Sequence, residues 1–196
     1  MELIIIDPGH GGDDPGALNI ELGLEEKAIN LAVAQKLWAL LSGPSCGTLV
    51  RLTRTRDIFV SLSSRTDYAN HLQECFPETR ALFVSLHCNA FSDPAVRGVE
   101  VFHYPGSKSG QRLGGFVLDA ITRAFPDMPS RGLKTNPNLA VLRRTRMPAI
   151  LIEMEFISNP DTARLLARET FQWQMAQSIQ AGIQSCLKPE ESAGIS

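Results

Sequence analysis

Residues 3–12 read LIIIDPGHGG, and this run decides both the fold class and the first candidate for chemistry. Leu3, Ile4, Ile5 and Ile6 are apolar and β-prone without alternation, the pattern of a strand covered on both faces. Asp7-Pro8-Gly9 are turn formers that stop the strand, and the glycine-rich residues 9–16 read as loop. His10 therefore stands in the loop that leaves a buried first strand.

Outward from that strand, helices and strands alternate. Over residues 26–41, Ile29, Leu31, Val33, Leu37, Leu40 and Leu41 recur at helical spacing, and Ala28, Ala32 and Ala34 favour helix. Ser42-Gly43-Pro44 stops this helix. Residues 48–52 read as a second strand. Residues 61–73 read as a helix capped by Ser61, with Leu62, Tyr68, Ala69 and Leu72 inward. Residues 81–86 form another unbroken apolar run, the signature of a central strand. A strand at 99–104, a helix at 111–125, a strand at 149–152 and helices at 161–166 and 170–186 complete the series. The alternation predicts an α/β fold, a three-layer α/β/α sandwich on a mostly parallel, twisted sheet. One domain spans residues 1–187, and residues 188–196, with Pro, Glu, Ser and Gly, read as a flexible tail.

Composition narrows the classes. Of 196 residues, 43% are hydrophobic and 20% charged, a balance that argues against disorder. A net charge of -2 gives no reason to expect a nucleic-acid partner. Arg51, Arg54 and Arg56, and again Arg143, Arg144 and Arg146, read either as a solvated rim or as contacts for an anionic ligand. Cys46, Cys75, Cys88 and Cys186 form no CxxC pair, which weighs against a zinc knuckle or a disulfide framework. Buried or half-buried thiols are expected, with Cys88 on the opposite strand face from His87. No run approaches the roughly 20 apolar residues of a membrane span, and no secretory leader is visible. The chain reads as soluble, or as a domain excised from an exported protein.

Open parallel sheets bind ligands at the carboxyl ends of their strands. His10 follows the first strand and His87 ends the strand at 81–86, so topology brings both to one edge. Glu25 and Glu26 begin the first helix beside the His10 loop, and spacing does not choose between them. Two histidines, one glutamate and an open position make a recurring catalytic zinc arrangement. Each residue also has a plainer reading: His10 as a turn histidine, His87 as a hydrogen-bonded strand end, either glutamate as a partner of the helix dipole. Asp7 is a candidate to orient His10. Glu153 and Glu155 end the apolar run at 149–152, a costly place for a carboxylate without a partner or a task. While the strand continues they share a face, and a glutamate near a metal-bound water is what amide hydrolysis uses to move protons.

The stretches IIIDPGHGGDDPGA (4–17), LEEKAINLAVAQKL (24–37), LTRTRD (52–57), LSSRTDYAN (62–70), FVSLHCNA (83–90), RGVEVF (97–102) and MPAILIEMEFISNP (147–160) carry a further signal. In this order, over nearly the whole chain, they resemble the zinc-dependent N-acetylmuramoyl-L-alanine amidases of the type 3 family. The resemblance implies one Zn²⁺ held by His10, Glu26 and His87, and so selects Glu26 over Glu25. It implies Glu153 as the catalytic carboxylate and hydrolysis of the amide between N-acetylmuramic acid and L-alanine in peptidoglycan. Asn89, Arg131 and Arg143, with Asp7 and Glu155, are weaker candidates for substrate contact or support of the ligands.

One position departs from the family pattern: Glu155 stands where glycine is usual, and it is expected either to raise the pKa of Glu153 or its own by like-charge repulsion, or to turn outward if the strand has ended. The implied partner is a glycan strand with its stem peptide, met by a monomer at an open groove, with a targeting or activating partner for delivery. A periplasmic, secreted or wall-associated location follows from that substrate. A zinc peptidase or deacetylase on another wall amide, and a non-catalytic wall-binding domain, are the alternatives.

Overall fold

The computed structural model describes residues 1–43 and 47–188. The expectations for Pro44, Cys46 and residues 189–196 lie outside it. The chain runs β1 (Glu2–Pro8), a small hairpin of β2 (Leu18–Asn19) and β3 (Leu24–Glu25), α1 (Glu26–Leu41), β4 (Thr48–Leu52), α2 (Leu62–Cys75), β5 (Arg80–Asn89), β6 (Val99–His103), α3 (Lys108–Ala124), β7 (Ser130–Thr135), α4 (Ala140–Arg144), β8 (Ala149–Phe156), α5 (Pro160–Leu166) and α6 (Glu169–Leu187). A six-stranded sheet has the order β4-β1-β5-β8-β6-β7. Its pairs are parallel except β6 with β8, which is antiparallel.

The unbroken apolar runs take the central positions because both of their faces are covered. Ile4, Ile6, Val84, Leu86, Ile150 and Ile152 face one core, closed by α1, α3, α5 and α6. Leu3, Ile5, Phe83, Ala149 and Leu151 face a second core under α2 and α4. Helices on both faces of a mostly parallel sheet make the three-layer sandwich. Among the described residues no helix is long and apolar enough to cross a membrane.

The hairpin β2–β3, helix α4 and the extension of β8 to Phe156 add to the sequence reading, and two further features differ from it. The inward face of α2 is not Leu62 and Tyr68, which are exposed, but Arg65, Thr66 and Ala69. That face meets a polar loop as well as the core, so a charged residue has partners there. The sheet also extends past β6 to β7, whose residues 130–135 carry no apolar alternation because they form a half-exposed edge.

Candidate metal centre

β1 and β5 are adjacent and parallel, so the loop after β1 and the end of β5 share one edge of the sheet. The Gly9 N–H continues the ladder to Leu86 O at 3.0 Å and delivers His10 beside His87. Gly9 has to be glycine: a Cβ there would lie 2.2 Å from the His87 ring. Gly16, at φ +68°, is equally confined, since its Cβ would fall 2.6 Å from Glu26 Oε2 and from the His10 ring. His10 itself takes φ +61°, a left-handed conformation uncommon for a residue with a Cβ.

Glu26 opens α1 and is 3% exposed. Its Oε1 lies 2.9 Å from His87 Nδ1 and 3.2 Å from His10 Nε2, and accepts from Cys88 N at 2.9 Å and Asn30 Nδ2 at 3.1 Å. Oε2 accepts from Ala17 N at 2.8 Å. Glu25 instead belongs to β3 and pairs with Lys27 at 3.3 Å. His10, Glu26 and His87 each offer one ligand atom, all within 4.8 Å of one another. Two imidazole nitrogens and a carboxylate oxygen so close together fit a divalent cation that accepts nitrogen and oxygen donors.

Asp7 does not touch the His10 side chain. It is buried and accepts from Arg65 Nη1 at 2.7 Å, Thr53 Oγ1 at 2.6 Å and Ser85 Oγ at 2.7 Å. The carboxylate that orients the His10 ring is Asp14, whose Oδ2 lies 2.9 Å from Nδ1. Asp7 acts on the loop through Arg65, which also donates to Pro8 O at 2.7 Å and His10 O at 2.8 Å.

Arg54, read as rim or anion contact, is only 2% exposed. It donates to Pro8 O at 3.0 Å and to Gly9 O and Lys27 O at 2.8 Å each. Two buried guanidiniums thus gather the carbonyls of the histidine loop. Sequence reasoning missed Asp14, Arg54 and Arg65 in this role; the only trace was their place inside the family-like stretches. Cys88 turns its thiol into the core toward Asn30.

On β8, Glu153 is the register partner of His87 on one side and of Glu100 on the other. Its Oε2 is buried with no hydrogen-bond partner among the described residues. Beyond it the strand bulges: His87 pairs with Glu153 and Asn89 with Phe156, so Met154 and Glu155 together face Cys88. The bulge breaks the alternation that would have set Glu155 on the Glu153 face. Glu155 is 0% exposed and accepts from Gly98 N at 2.7 Å and Phe156 N at 2.9 Å, with Arg97 Nε 3.9 Å away. The carboxylate opposite Glu153 is therefore Glu100, which bonds Asn89 and Lys134 and lies 3.5 Å from Arg131 Nε. Arg143 is exposed on α4, and among the described residues no hydrogen bond or ion pair ties it to these groups.

Burial alone would lower the His10 pKa, but hydrogen bonds and charge from Glu26 and Asp14 outweigh it and lift it to about 9. Burial opposes ionisation of Glu26, yet the two histidines hold it well below the usual carboxylate range. Burial pushes Glu153 up to about 7; His87 opposes the rise, and the Glu26 and Glu100 charges add to it. The like charges that raise Glu153 thus come from Glu26 and Glu100 rather than from Glu155.

Comparison with known proteins places this geometry. A family model described as N-acetylmuramoyl-L-alanine amidase matches residues 4–185. The sporulation-specific N-acetylmuramoyl-L-alanine amidase of Bacillus subtilis is 34% identical, over 100% of this chain and 72% of its own length. The amidase AmiC of Neisseria meningitidis is 30% identical over 93% of this chain, which spans about half (52%) of that relative. Among solved structures, the amidase AmiC2 of Nostoc punctiforme superposes with a TM-score of 0.86 at 34% identity, covering 96% of this chain and 98% of that one. The amidase of Clostridium difficile 630 gives 0.87 at 32% identity, with 96% and 98% covered. The chain belongs to the N-acetylmuramoyl-L-alanine amidase family.

Proposed function

We propose that this domain hydrolyses the amide between N-acetylmuramic acid and L-alanine in peptidoglycan, with one zinc ion held by His10, Glu26 and His87. When bound, zinc supplies Lewis acidity toward the amide carbonyl and brings the pKa of a water toward neutrality. Glu26 contributes the charged ligand, fixed by Ala17 N, Cys88 N and Asn30 Nδ2. Asp14 accepts from His10 Nδ1 and so presents Nε2 to the ion. Glu153 receives the proton of the attacking water at Oε2 and hands it to the departing alanine nitrogen. Burial, which pushes this carboxyl above the ordinary glutamate range, favours its taking and then releasing that proton. The catalytic unit in this reading is residues 1–187 acting as a monomer, with delivery to the wall left to a targeting or activating partner.

The observation that carries the reading is Glu153, with its unpartnered Oε2, in register beside His87 in the His–Glu–His cluster. A pure wall binder has no use for a buried carboxylate oxygen so placed. The test is Glu153→Gln on intact peptidoglycan. The parent is expected to release new L-alanine amino termini, and the variant to keep about one zinc and its fold while losing about 10²–10⁴-fold in turnover. A variant that turns over at the parent rate removes Glu153 from the mechanism. Release of acetate or of a terminal amino acid by the parent, without new L-alanine termini, favours a deacetylase or peptidase.

A further inference from the structure

The register row that holds the candidate site runs across three strands, from His87 on β5 to Glu153 on β8 and Glu100 on β6. Glu100 is 4% exposed and carries three partners: Asn89, Lys134 and Arg131. The two cations come from β7, the neighbour of β6 at the edge of the sheet. Their side chains remain 38% and 37% exposed, so their remaining N–H groups reach solvent. Aromatic rings brace both: the Arg131 guanidinium lies 5.1 Å from the Phe156 ring centre and Lys134 Nζ lies 6.0 Å from that of Phe102. One carboxylate against two cations leaves the cluster a net positive charge, and packing holds that charge in place.

We propose that Lys134 and Arg131, seated on Glu100, form a subsite for a free carboxylate on the peptide side of the scissile amide. Substrates with an acidic residue next to the released alanine are thereby favoured. The inference rests on the amidase reading and adds a substrate preference to it. Distance fits the assignment. Neighbouring strands lie about 4.8 Å apart, so the Glu100 carboxylate that gathers the cations is about one strand spacing from Glu153. An extended peptide advances about 3.4 Å per residue, so one to two residues span that gap. Glu100 positions the cations; it is not the group that meets the ligand, because both of its oxygens already have partners. Backbone atoms of β7 are an unsuitable alternative, since they give no reason for two braced cations.

The test compares two muramyl peptides that differ only at the residue after alanine, where one has a free carboxylate and the other its carboxamide. The parent is expected to show a kcat/KM about tenfold higher for the carboxylate, the size of one solvent-exposed charge-assisted contact. Lys134→Met should bring the ratio toward one, Lys134→Glu should take it below one, and Lys134→Arg should restore most of it. Equal rates on the two substrates in the parent overturn the proposal, as does an unchanged ratio in both Lys134→Met and Arg131→Met. Hydrolysis of neither substrate counts against the amidase reading alone. The subsite is then decided by titrating the corresponding free dipeptide and its carboxamide into parent and Lys134→Met protein by calorimetry. A carboxylate preference that disappears in the variant upholds the subsite, and equal binding of the two peptides sinks it.

Discussion

Arg65→Met should be among the most damaging substitutions outside the ligand set. Arg65 is 3% exposed and Asp7 is 1% exposed, and they pair at 2.7 Å. Removing the guanidinium leaves Asp7 with two hydroxyl donors, Thr53 and Ser85, and no positive charge in direct contact, with Arg54 acting only from farther off. It also takes a donor from Pro8 O, His10 O and Val60 O. Breaking one side of a buried pair costs about 3–5 kcal/mol. At about 2–4 °C per kcal/mol for a chain of this size, the melting temperature should fall by roughly 6–20 °C. Urea denaturation with zinc chelated isolates this term from metal linkage. The loss comes largely from the stranded charge, so Asp7→Asn in the same protein should recover about 2 kcal/mol. A loss under about 1 kcal/mol, or strict additivity of the two substitutions, would refute the reasoning.

Three further outcomes follow from the same contacts. Asp14→Ala frees the His10 ring and should weaken zinc binding about 10–100-fold in competition with a chelating dye; an unchanged affinity removes Asp14 from the site. Gly9→Ala places a Cβ 2.2 Å from the His87 ring, which has to turn, so zinc should be lost at equilibrium dialysis while β1 and β5 stay paired. Burial raises the Glu155 pKa, so the folded protein holds that proton more tightly than the unfolded chain does. The resulting stability is full below the ordinary glutamate value and is lost as pH rises through the raised folded value. The melting temperature of the parent relative to Glu155→Gln should therefore decline from acid to neutral pH, and a constant difference would count against it.

Much of the fold was legible where hydrophobicity alone specifies structure. The helix read at residues 26–41 is α1, because alanine and leucine at helical spacing leave one solution. The apolar runs at 3–6 and 81–86 take central strands. The histidines were legible for a topological reason, since residues that follow parallel neighbours share an edge. What stayed hidden depends on partners distant in sequence. Arg65 carries no signal of its own in the sequence, because its partners, Asp7 and the loop carbonyls, are brought beneath it only by the fold. Asp14 sits in a run that reads only as loop. By spacing alone Glu25 and Glu26 are equivalent, and what separates them physically is the β2–β3 hairpin that takes up Glu25. The departure of Glu155 from the Glu153 face rests on one extra residue in β8, which a period-two pattern cannot register.

Charge links the hidden residues to the visible ones. Asp7, Asp14, Glu26, Glu153 and Glu100 bring five negative charges to this edge of the sheet, and Arg54, Arg65, Arg131 and Lys134 bring four positive ones. Ligating imidazoles are neutral, so the set stands net negative, a field that favours a bound cation. The Arg54 and Arg65 guanidiniums do not compete for the ligands: among the described residues their hydrogen bonds go to Asp7 and to carbonyl oxygens. Without a cation, protons are the remaining source of compensation, and the pKa values move that way, His10 to about 9 and Glu153 to about 7. Cation and protons therefore compete for the same negative charge. A buried arginine that reads as a fold element thus fixes the backbone of the residue that offers the first candidate ligand, through the carbonyl of His10 that it holds.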